Sequence, residues 1–435
     1  MSKNRSQNKS GIFKLFMEFK LKDWTIFVLL SIANISVPAA FSCIAPFFND
    51  IAINKGLTLS EIGIIFGVFN LGSTIGSILF GKLISDFGCK KIFVFGLFFS
   101  SFATACFSLT NLISSRYVFL FATIISRVLQ AFGSSAFVTC SYTIAAQQFP
   151  HAISTIGAIF ETSGGLGYAL GPIFGGFLFE IGGYVLPFIC LGSFLFIVGL
   201  VSIFFITDFN EDENSMPNNL PAKNEIYGKL LRSKDIILLL IIVVLVGFCY
   251  TSLDPILPVI LKNDFKLSSA DIGLLFGAQA LGFGLAAPFF GYLVDNKDYS
   301  NPIYIFGGFI TTICFYLMGD QIYSFFMLSP LIYGIIVFNF GISGCALYVP
   351  TFKSILREAQ INGIYDTNVT ISYISGIFYA SYNLGGFLGP IVCSFLAHYI
   401  GYKWTMTIIS IGMLTYTIIF ILFYIIPKKT NSLVI

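Results

Sequence analysis

The stretch Ser60-Glu61-Ile62-Gly63-Ile64-Ile65-Phe66-Gly67 recurs as Ala270-Asp271-Ile272-Gly273-Leu274-Leu275-Phe276-Gly277, 210 residues later in a chain of 435. Other motifs recur at a similar distance: Gly81 and Asp86 as Gly291 and Asp295, and Gly167, Gly171 and Pro172 as Gly385, Gly389 and Pro390, the last set 218 residues apart. Two membrane halves of one chain that face each other across a cavity are a common architecture of solute carriers. The repeat therefore predicts two similar halves and indicates transport.

The composition is that of a membrane protein. Hydrophobic residues make up 56% of the chain, charged residues 10%, and the mean hydropathy is +0.87. Apolar runs of about 20 residues, long enough to cross a bilayer, occur six times within 24–206 and six times within 236–426. The first is predicted at 24–48, and the tenth is predicted to begin near 323. Because the runs are continuous, they favour helices over a barrel. The predicted fold class is an all-α membrane protein of twelve transmembrane helices in two pseudo-symmetric six-helix halves.

The polar segments predict the domain boundaries. They are a tail (1–23), the first half (24–206), a linker (207–235), the second half (236–426) and a second tail (427–435). Most Lys and Arg residues outside the spans fall on the side of both tails, and basic loops stay in the cytosol. Both termini are therefore predicted to be cytosolic, with the first span as an uncleaved insertion signal.

Several classes of function find no support in the sequence. The nine cysteines are scattered without a Cys-x-x-Cys motif, and the two histidines are single. We therefore expect no metal site, no cofactor and no enzymatic activity. The net charge of +3 reflects the basic loops and does not indicate nucleic-acid binding.

Three ionisable residues are predicted inside spans: Arg127, Glu161 and Asp254. An unpaired charge at the centre of a membrane helix costs about 2.5–3.5 kcal/mol on insertion scales, so such a residue normally faces a cavity or a partner. We take Glu161 as the best candidate to bind either a proton or a substrate ammonium, in competition. A structural ion pair between Arg127 and Glu161, and hydration of Asp254 from the non-cytosolic side, are the alternatives.

Further residues suit an organic cation. Tyr250 and Asp254 are four residues apart on one helical face, as are Tyr379 and Asn383. Aromatic faces next to a carboxylate hold alkylammonium groups. Because 17% of the chain is aromatic, ordinary packing is the alternative for each ring.

Two sets of residues are predicted to serve conformational change. Gly167, Gly171, Pro172 and Gly175, with Gly385, Gly389 and Pro390, would let helices approach closely. The loop residues Gly81, Asp86 and Gly88, with Gly291 and Asp295, would help to close the cytosolic side. Static packing and a simple basic anchor are the respective alternatives.

These motifs resemble the major facilitator superfamily over nearly the whole chain. Gly167-Tyr-Ala-Leu-Gly171-Pro172 is similar to its fifth-helix antiporter motif, and Arg127-Val-Leu-Gln130 to its fourth-helix arginine motif. Ala131 stands where that motif usually has glycine, and Ser85 where the loop motif has its acid.

Within the superfamily, the chain most resembles the vesicular polyamine transporter branch of the vesicular amine transporters. The segments that carry the likeness are Ala45-Pro46-Phe47-Phe48, Lys55-Gly56, Phe160-Glu161-Thr162-Ser163-Gly164, Leu253-Asp254-Pro255 and Val349-Pro350-Thr351-Phe352. The resemblance implies proton-driven loading of an organic polycation into an acidic compartment. Where monoamine carriers have acids in spans 1, 10 and 11, this chain has Ser31, Asn34, Asn339, Tyr379 and Asn383.

The sequence thus predicts a monomeric antiporter in the membrane of an acidic vesicle, which exchanges lumenal protons for a cytosolic amine similar to spermine or spermidine. The proton gradient would be the driving force, and membrane lipid its surroundings. A plasma-membrane multidrug antiporter and a non-transporting receptor or scaffold with a carrier fold are the alternatives.

Overall fold

The computed structural model describes residues 19–149, 153–206, 228, 230–297, 299–319, 329–363 and 368–427. Most of the predicted linker and tails lie outside these residues. We number the membrane-spanning helices as spans. The first half contains span 1 (Leu21–Ser42), span 2 (Leu59–Phe87), span 3 (Cys89–Leu109), span 4 (Arg116–Gln148), span 5 (Ile153–Gly182) and span 6 (Val185–Phe205), with a short helix at Phe48–Asn54.

The second half repeats this order. It contains span 7 (Lys234–Phe265), span 8 (Ser269–Lys297), span 9 (Ser300–Met318), span 10 (Pro330–Ile361) and a long helix, Asn368–Phe420. That helix turns at Gly401, whose φ of 80° is not helical, and so provides span 11 (368–400) and span 12 (402–420). Eleven helices of the described chain are long and apolar enough to cross a membrane, and this bend makes twelve spans. The predicted fold class is confirmed.

Two predicted boundaries were wrong. Span 1 ends at Ser42, not at 48, because turns occupy 43–47 before the short helix. Pro46 explains the break, since it lacks an amide donor and disfavours a helical conformation in the residue before it. Span 10 begins at Pro330, not near 323, where the Ser329 side chain accepts from the Ile332 amide and proline occupies the first turn.

The repeated stretch has a structural cause at the beginning of spans 2 and 8. Thr58 and Glu61 form a reciprocal capping box at span 2. At span 8, the Asp271 amide donates to Ser268 Oγ at 3.2 Å, and Asp271 Oδ2 accepts from the Ser268 amide at 3.3 Å. Each box satisfies amides that the first helical turn leaves without partners. The two copies thus fix the same helix start in each half.

The turn before each box needs a left-handed residue. Gly56 has a φ of 85° in the first half, whereas Lys266 has a φ of 54° at the matching place in the second. Lys266 is the only non-glycine residue with positive φ in the described chain. A side chain raises the energy of this conformation by about 1–2 kcal/mol.

Lys266→Gly is therefore expected to raise the melting temperature of the purified protein in detergent. The gain in unfolding free energy should be about 1 kcal/mol, since the glycine also adds freedom to the unfolded chain. Lys266→Ala is the control for loss of the charge and should give no such gain. Equal shifts of the melting temperature in the two variants would contradict the assignment of backbone strain to Lys266.

Within each half, glycines allow two helices to touch. A Cβ placed at Gly175 would lie 2.1 Å from the carbonyl oxygen of Cys43, at the end of span 1. In the second half, a Cβ at Gly385 would lie 1.9 Å from the carbonyl oxygen of Val244 in span 7. Gly167, Gly171 and Gly389 make similar approaches. The predicted glycine motifs therefore sit where span 5 packs against span 1 and span 11 against span 7.

The halves meet along two pairs of helices, span 2 with span 11 and span 5 with span 8. Their tight contacts lie at one end: Cβ atoms at Gly63 and Gly273 would lie 2.4 and 2.3 Å from the carbonyl oxygens of Pro390 and Pro172. Toward the other end of the same four helices, a Cβ at Gly81, Gly164, Gly291 or Gly376 would meet no described atom within 4 Å. We call these the closed end and the open end. The open end is the side at which span 1 begins.

Candidate translocation site between the halves

Arg127 is buried in span 4, with 1% of its surface exposed. Its two terminal nitrogens donate to the carbonyl oxygen of Phe41 at 3.1 Å, and Nη1 donates to Gln130 Oε1 at 2.6 Å. Gln130 Nε2 in turn donates to the carbonyl of Ala40 at 3.2 Å. These carbonyls belong to the last turn of span 1, whose oxygens lack helical partners and favour a nearby cation. Arg127 and Gln130 thus cap span 1 where it ends.

Aromatic rings complete the surroundings of Arg127. The guanidinium carbon lies 4.9 Å from the ring centroid of Phe41 and 5.1 Å from that of Phe107. Both distances suit cation–π attraction. Among the residues described here, no carboxylate lies within ion-pair distance of Arg127.

Glu161 lies in span 5, and its side chain is outside the described part of the structure. Its backbone position is ten residues further from the closed end than that of Arg127, counted along spans 5 and 4. At 1.5 Å per residue this corresponds to about 15 Å along the helices. For an ion pair to form, the side chains of Arg127 and Glu161 would have to span this distance along the helices. The exchange role of Glu161 and the ion pair both stay predictions.

Asp254 lies next to a contact between the halves. Its neighbour Pro255 accepts a 2.6 Å hydrogen bond from Asn49 Nδ2, which follows the break after span 1. Protein surrounds the Asp254 carboxylate, yet part of the side chain stays exposed, and the charge of Arg127 acts on it through the interior. No described cation forms an ion pair with it. Asp254 is therefore an interior carboxylate with a free binding capacity.

The other predicted binding residues have different surroundings. The Tyr250 hydroxyl donates to the carbonyl of Gly341 at 3.1 Å, and the ring packs on Phe340, so Tyr250 joins span 7 to span 10. Asn34 is buried and donates to Leu30 in its own helix. On span 11, Tyr379 is exposed, whereas Asn383 is buried. The structure thus brings Arg127 and Asp254 into one interior region but does not bring Tyr250 to that region with an exposed ring.

The two copies of the loop motif differ at the open end. In the second half, Lys353 Nζ lies 3.0 Å from Asp295 Oδ1 and donates to the carbonyl of Val294, which joins spans 8 and 10. Thr143 occupies the corresponding place in the first half, 210 residues earlier, where Asp86 is exposed. Gly88 has a φ of 83° in the turn between spans 2 and 3. Only the second copy therefore holds its neighbouring helix by an ion pair among the described residues.

Sequence reasoning missed the polar contacts that join the halves at the closed end. Lys262 of span 7 forms an ion pair with Asp50 of the short helix. Glu180 Oε1 at the end of span 5 accepts from the amide of Ala270 in the first turn of span 8 at 2.9 Å. Lys262 and Glu180 both lie near the ends of apolar runs, and the sequence alone gives no indication of their partners. Their partners lie 212 and 90 residues away.

Asp50→Ala is expected to change exchange only slightly, by less than about fivefold. Both partners are partly exposed, with 44% and 30% of their side-chain surface accessible, and such pairs contribute about 0–1 kcal/mol. The rate of substrate exchange in proteoliposomes measures the effect, and it should fade at high salt. Complete loss of exchange in the folded variant would show that the pair contributes far more.

The comparisons with known proteins agree with this architecture. The sequence profile of the Major Facilitator Superfamily matches residues 30–374 and 239–434. The chain belongs to the Major Facilitator Superfamily. The mouse MFS-type transporter SLC18B1 is 31% identical over 412 residues, which cover 93% of this chain and 87% of the relative. The profile confirms the predicted superfamily, and the SLC18B1 relative confirms the predicted resemblance to the vesicular polyamine transporter branch of the vesicular amine transporters.

More distant members of the superfamily are also similar. A multi-drug resistance efflux pump PmrA homolog of Lactococcus lactis is 25% identical, covering 84% of this chain and 87% of the pump. The bovine synaptic vesicular amine transporter is 24% identical, covering 68% of this chain and 54% of the relative. A crystal structure of a bacterial homolog of the lysosomal transporter Spinster, inward-facing and unoccupied, matches with a TM-score of 0.74 at 13% identity, covering 93% and 97% of the two chains. That match shows the shared fold.

Among the described residues, no three His, Cys, Asp or Glu side chains come together as a metal site would require. The described interior of this superfamily member contains an arginine that caps span 1, one carboxylate without an ion-pair partner and the backbone position of a second. Such a site can bind and release a small cation or a proton.

Proposed function

We propose that the chain is a proton-coupled antiporter that moves polyamines or related organic amines from the cytosol into an acidic vesicle lumen. The observation that carries the proposal is Asp254, an interior carboxylate without an ion-pair partner among the described residues. The positive charge of Arg127 is already directed at span 1, so the interior can accept an added cation. Similarity to the bovine synaptic vesicular amine transporter supports an amine.

The proposed cycle uses Glu161 and Asp254 as sites for which amine and proton compete. Desolvation favours the neutral, protonated carboxyl, and an arriving ammonium favours the charged form. An amine entering from the open end therefore displaces protons. With both termini in the cytosol, as the basic residues predict, the open end faces the cytosol. Release into the lumen then requires the closed end to separate.

The separation has identified contacts to break. Span 2 leaves span 11 at Gly63 and Gly67, and span 5 leaves span 8 at Gly273. The hydrogen bond from Asn49 to Pro255 and that from Ala270 to Glu180 break at the same time. The open end would then close around Gly81 and Gly291, where a Cβ now meets no described atom. Rocking of one half against the other accounts for both changes.

Transport by purified protein is the direct test. Liposomes with an acidic interior and the protein in their membrane are expected to accumulate labelled spermidine, and unlabelled spermine should compete better than histamine or serotonin. A protonophore that collapses the pH gradient should abolish accumulation. Accumulation that persists without the gradient would contradict proton coupling, and a flat signal for every amine would favour a receptor or scaffold.

A multidrug antiporter of the plasma membrane is the second candidate, because the PmrA homolog is similar over 84% of this chain. A fluorescent tag on the full chain distinguishes the two. Vesicular fluorescence that overlaps an acidic-compartment dye is expected for the amine loader. Fluorescence at the cell boundary, together with uptake of several unrelated cationic dyes by the liposomes, would favour the multidrug antiporter.

A further inference from the structure

In the second half, rings from spans 8 and 11 gather around Tyr348 of span 10. Its ring centroid lies 4.9 Å from that of Phe378, 5.8 Å from Tyr382 and 6.1 Å from Phe283. The ring planes meet at 65°, 77° and 59°. We call these four residues the Tyr348 cluster. Tyr348, Tyr382 and Phe283 are partly buried, and Phe378 is 6% exposed.

The first half has no such cluster at the matching positions. A shift of 210 residues relates Tyr348 to Val138 and Phe283 to Ser73, and a shift of 218 residues relates Tyr382 to Gly164. A ring pair that both halves share supports this correspondence. Tyr142 and Phe160 lie 5.9 Å apart at 76°, and Phe352 and Phe378 lie 5.5 Å apart at 88°. The four-ring cluster is thus a feature of the second half alone, among the residues that the structure describes.

The same correspondence relates Glu161 to Tyr379, 218 residues later and one helical turn before Tyr382. The pseudo-symmetry therefore places the Glu161 position and the Tyr348 cluster at similar depth in opposite halves. Around Glu161, the half that carries the carboxylate has Gly164 and Gly165, where an added Cβ would meet no described atom within 4 Å. At this depth, the first half thus has the Glu161 backbone position and two glycines without close neighbours, whereas the second half has aromatic rings.

We propose that the Tyr348 cluster is a second cation subsite, which takes one alkylammonium group of a substrate whose other ammonium is held at Glu161. The inference rests on the proposed function and names the kind of substrate, an amine with two or more separated charges. A cation over the face of a tyrosine or phenylalanine ring is attracted to its π electrons, and a cluster of four rings offers several such faces. The attraction is larger where water is excluded.

Substitutions at Tyr348 test the subsite in the proteoliposome assay. Tyr348→Leu is expected to raise the KM for spermidine about tenfold with little change in the maximal rate, whereas Tyr348→Phe should behave like the unchanged protein. Inhibition by tetramethylammonium, which cannot donate hydrogen bonds and depends on ring faces, should be lost only in Tyr348→Leu. Tyr142→Leu is the matched control, because it removes a ring from the corresponding pair of the other half.

An unchanged KM in Tyr348→Leu, or an equal rise in Tyr142→Leu, would overturn the subsite. If Tyr348→Leu does not fold, trifluorophenylalanine at position 348 replaces it, compared with Tyr348→Phe. This ring keeps the shape and loses electron density, so the KM should rise several-fold, and an equal KM would overturn the proposal.

The outcome for the subsite is separable from that for the proposed function. If the unchanged protein shows no uptake driven by the pH gradient, the transport proposal fails. Equilibrium binding of spermidine and tetramethylammonium to the purified protein then decides the subsite, because Tyr348→Leu should weaken both about tenfold. Equal binding by the two proteins would refute it.

Discussion

Glu161→Gln is expected to abolish pH-driven amine exchange while the protein remains folded in the membrane. Glutamine keeps the size of the side chain and one acceptor oxygen but can neither take up a proton nor attract an ammonium by charge. A competition mechanism requires both properties at one site. The loss should reach at least a hundredfold in the initial rate of labelled spermidine uptake. Gel filtration and melting temperature in detergent establish that the variant is folded.

The matched variant is Asp254→Asn, which removes the other interior carboxylate. Asp254 lies beside the closed end, next to the Asn49 to Pro255 contact. We therefore expect its removal to weaken amine affinity and leave some proton exchange. Normal rates and an unaltered pH dependence in Glu161→Gln would discard the role of Glu161. Complete loss of amine exchange in Asp254→Asn, but not in Glu161→Gln, would assign the exchange site to span 7.

Gly63→Leu is expected to keep the closed end from closing. A Cβ at Gly63 would lie 2.4 Å from the Pro390 carbonyl oxygen and 2.6 Å from the Cβ of Ser394, so a leucine cannot fit between spans 2 and 11. Overpacking of this kind costs about 1–3 kcal/mol. In a two-state carrier, this cost shifts the equilibrium about 5- to 150-fold toward the conformation in which the two spans are apart.

Spin labels at positions 54 and 263, introduced in a background without reactive cysteines, measure the change. The distance between them should lengthen in Gly63→Leu, and spermidine uptake should fall at least tenfold. Gly412→Leu is the control, since a Cβ at Gly412 meets no described atom within 4 Å. An unchanged distance distribution in Gly63→Leu would show that span 2 adapts at this point.

The sequence was sufficient for those features that depend on local pattern. The apolar runs defined the spans, and the duplicated stretch located equivalent helix starts, because the capping boxes of Thr58 and Ser268 involve residues only three positions apart. The glycine motifs of spans 5 and 11 were likewise found where helices approach. These features repeat because each half has the same helix starts to cap and the same close approach of two helices.

Features that depend on tertiary contacts could not be predicted. Tyr250 and Asp254 share a helical face in the sequence, yet the Tyr250 ring packs toward span 10. Arg127 was identified from the sequence as a charge that is costly to bury in the membrane. Its hydrogen bond to the last turn of span 1, however, depends on the break at 43–47. The contact between Glu180 and Ala270 joins two halves whose relative placement no local pattern encodes.

The change from a shift of 210 residues at Tyr142 and Phe352 to one of 218 at Phe160 and Phe378 has a practical consequence. The second half has eight extra residues between Phe352 and Phe378, at the open end: two lie in the connection between spans 10 and 11, and the others lengthen the end of span 10 and the beginning of span 11. The ring pair on either side of them keeps its geometry, so the surrounding packing has absorbed the added length. The facing ends of spans 10 and 11 therefore tolerate added length, and a short epitope or fluorophore-binding tag inserted there is expected to leave this ring pair in place.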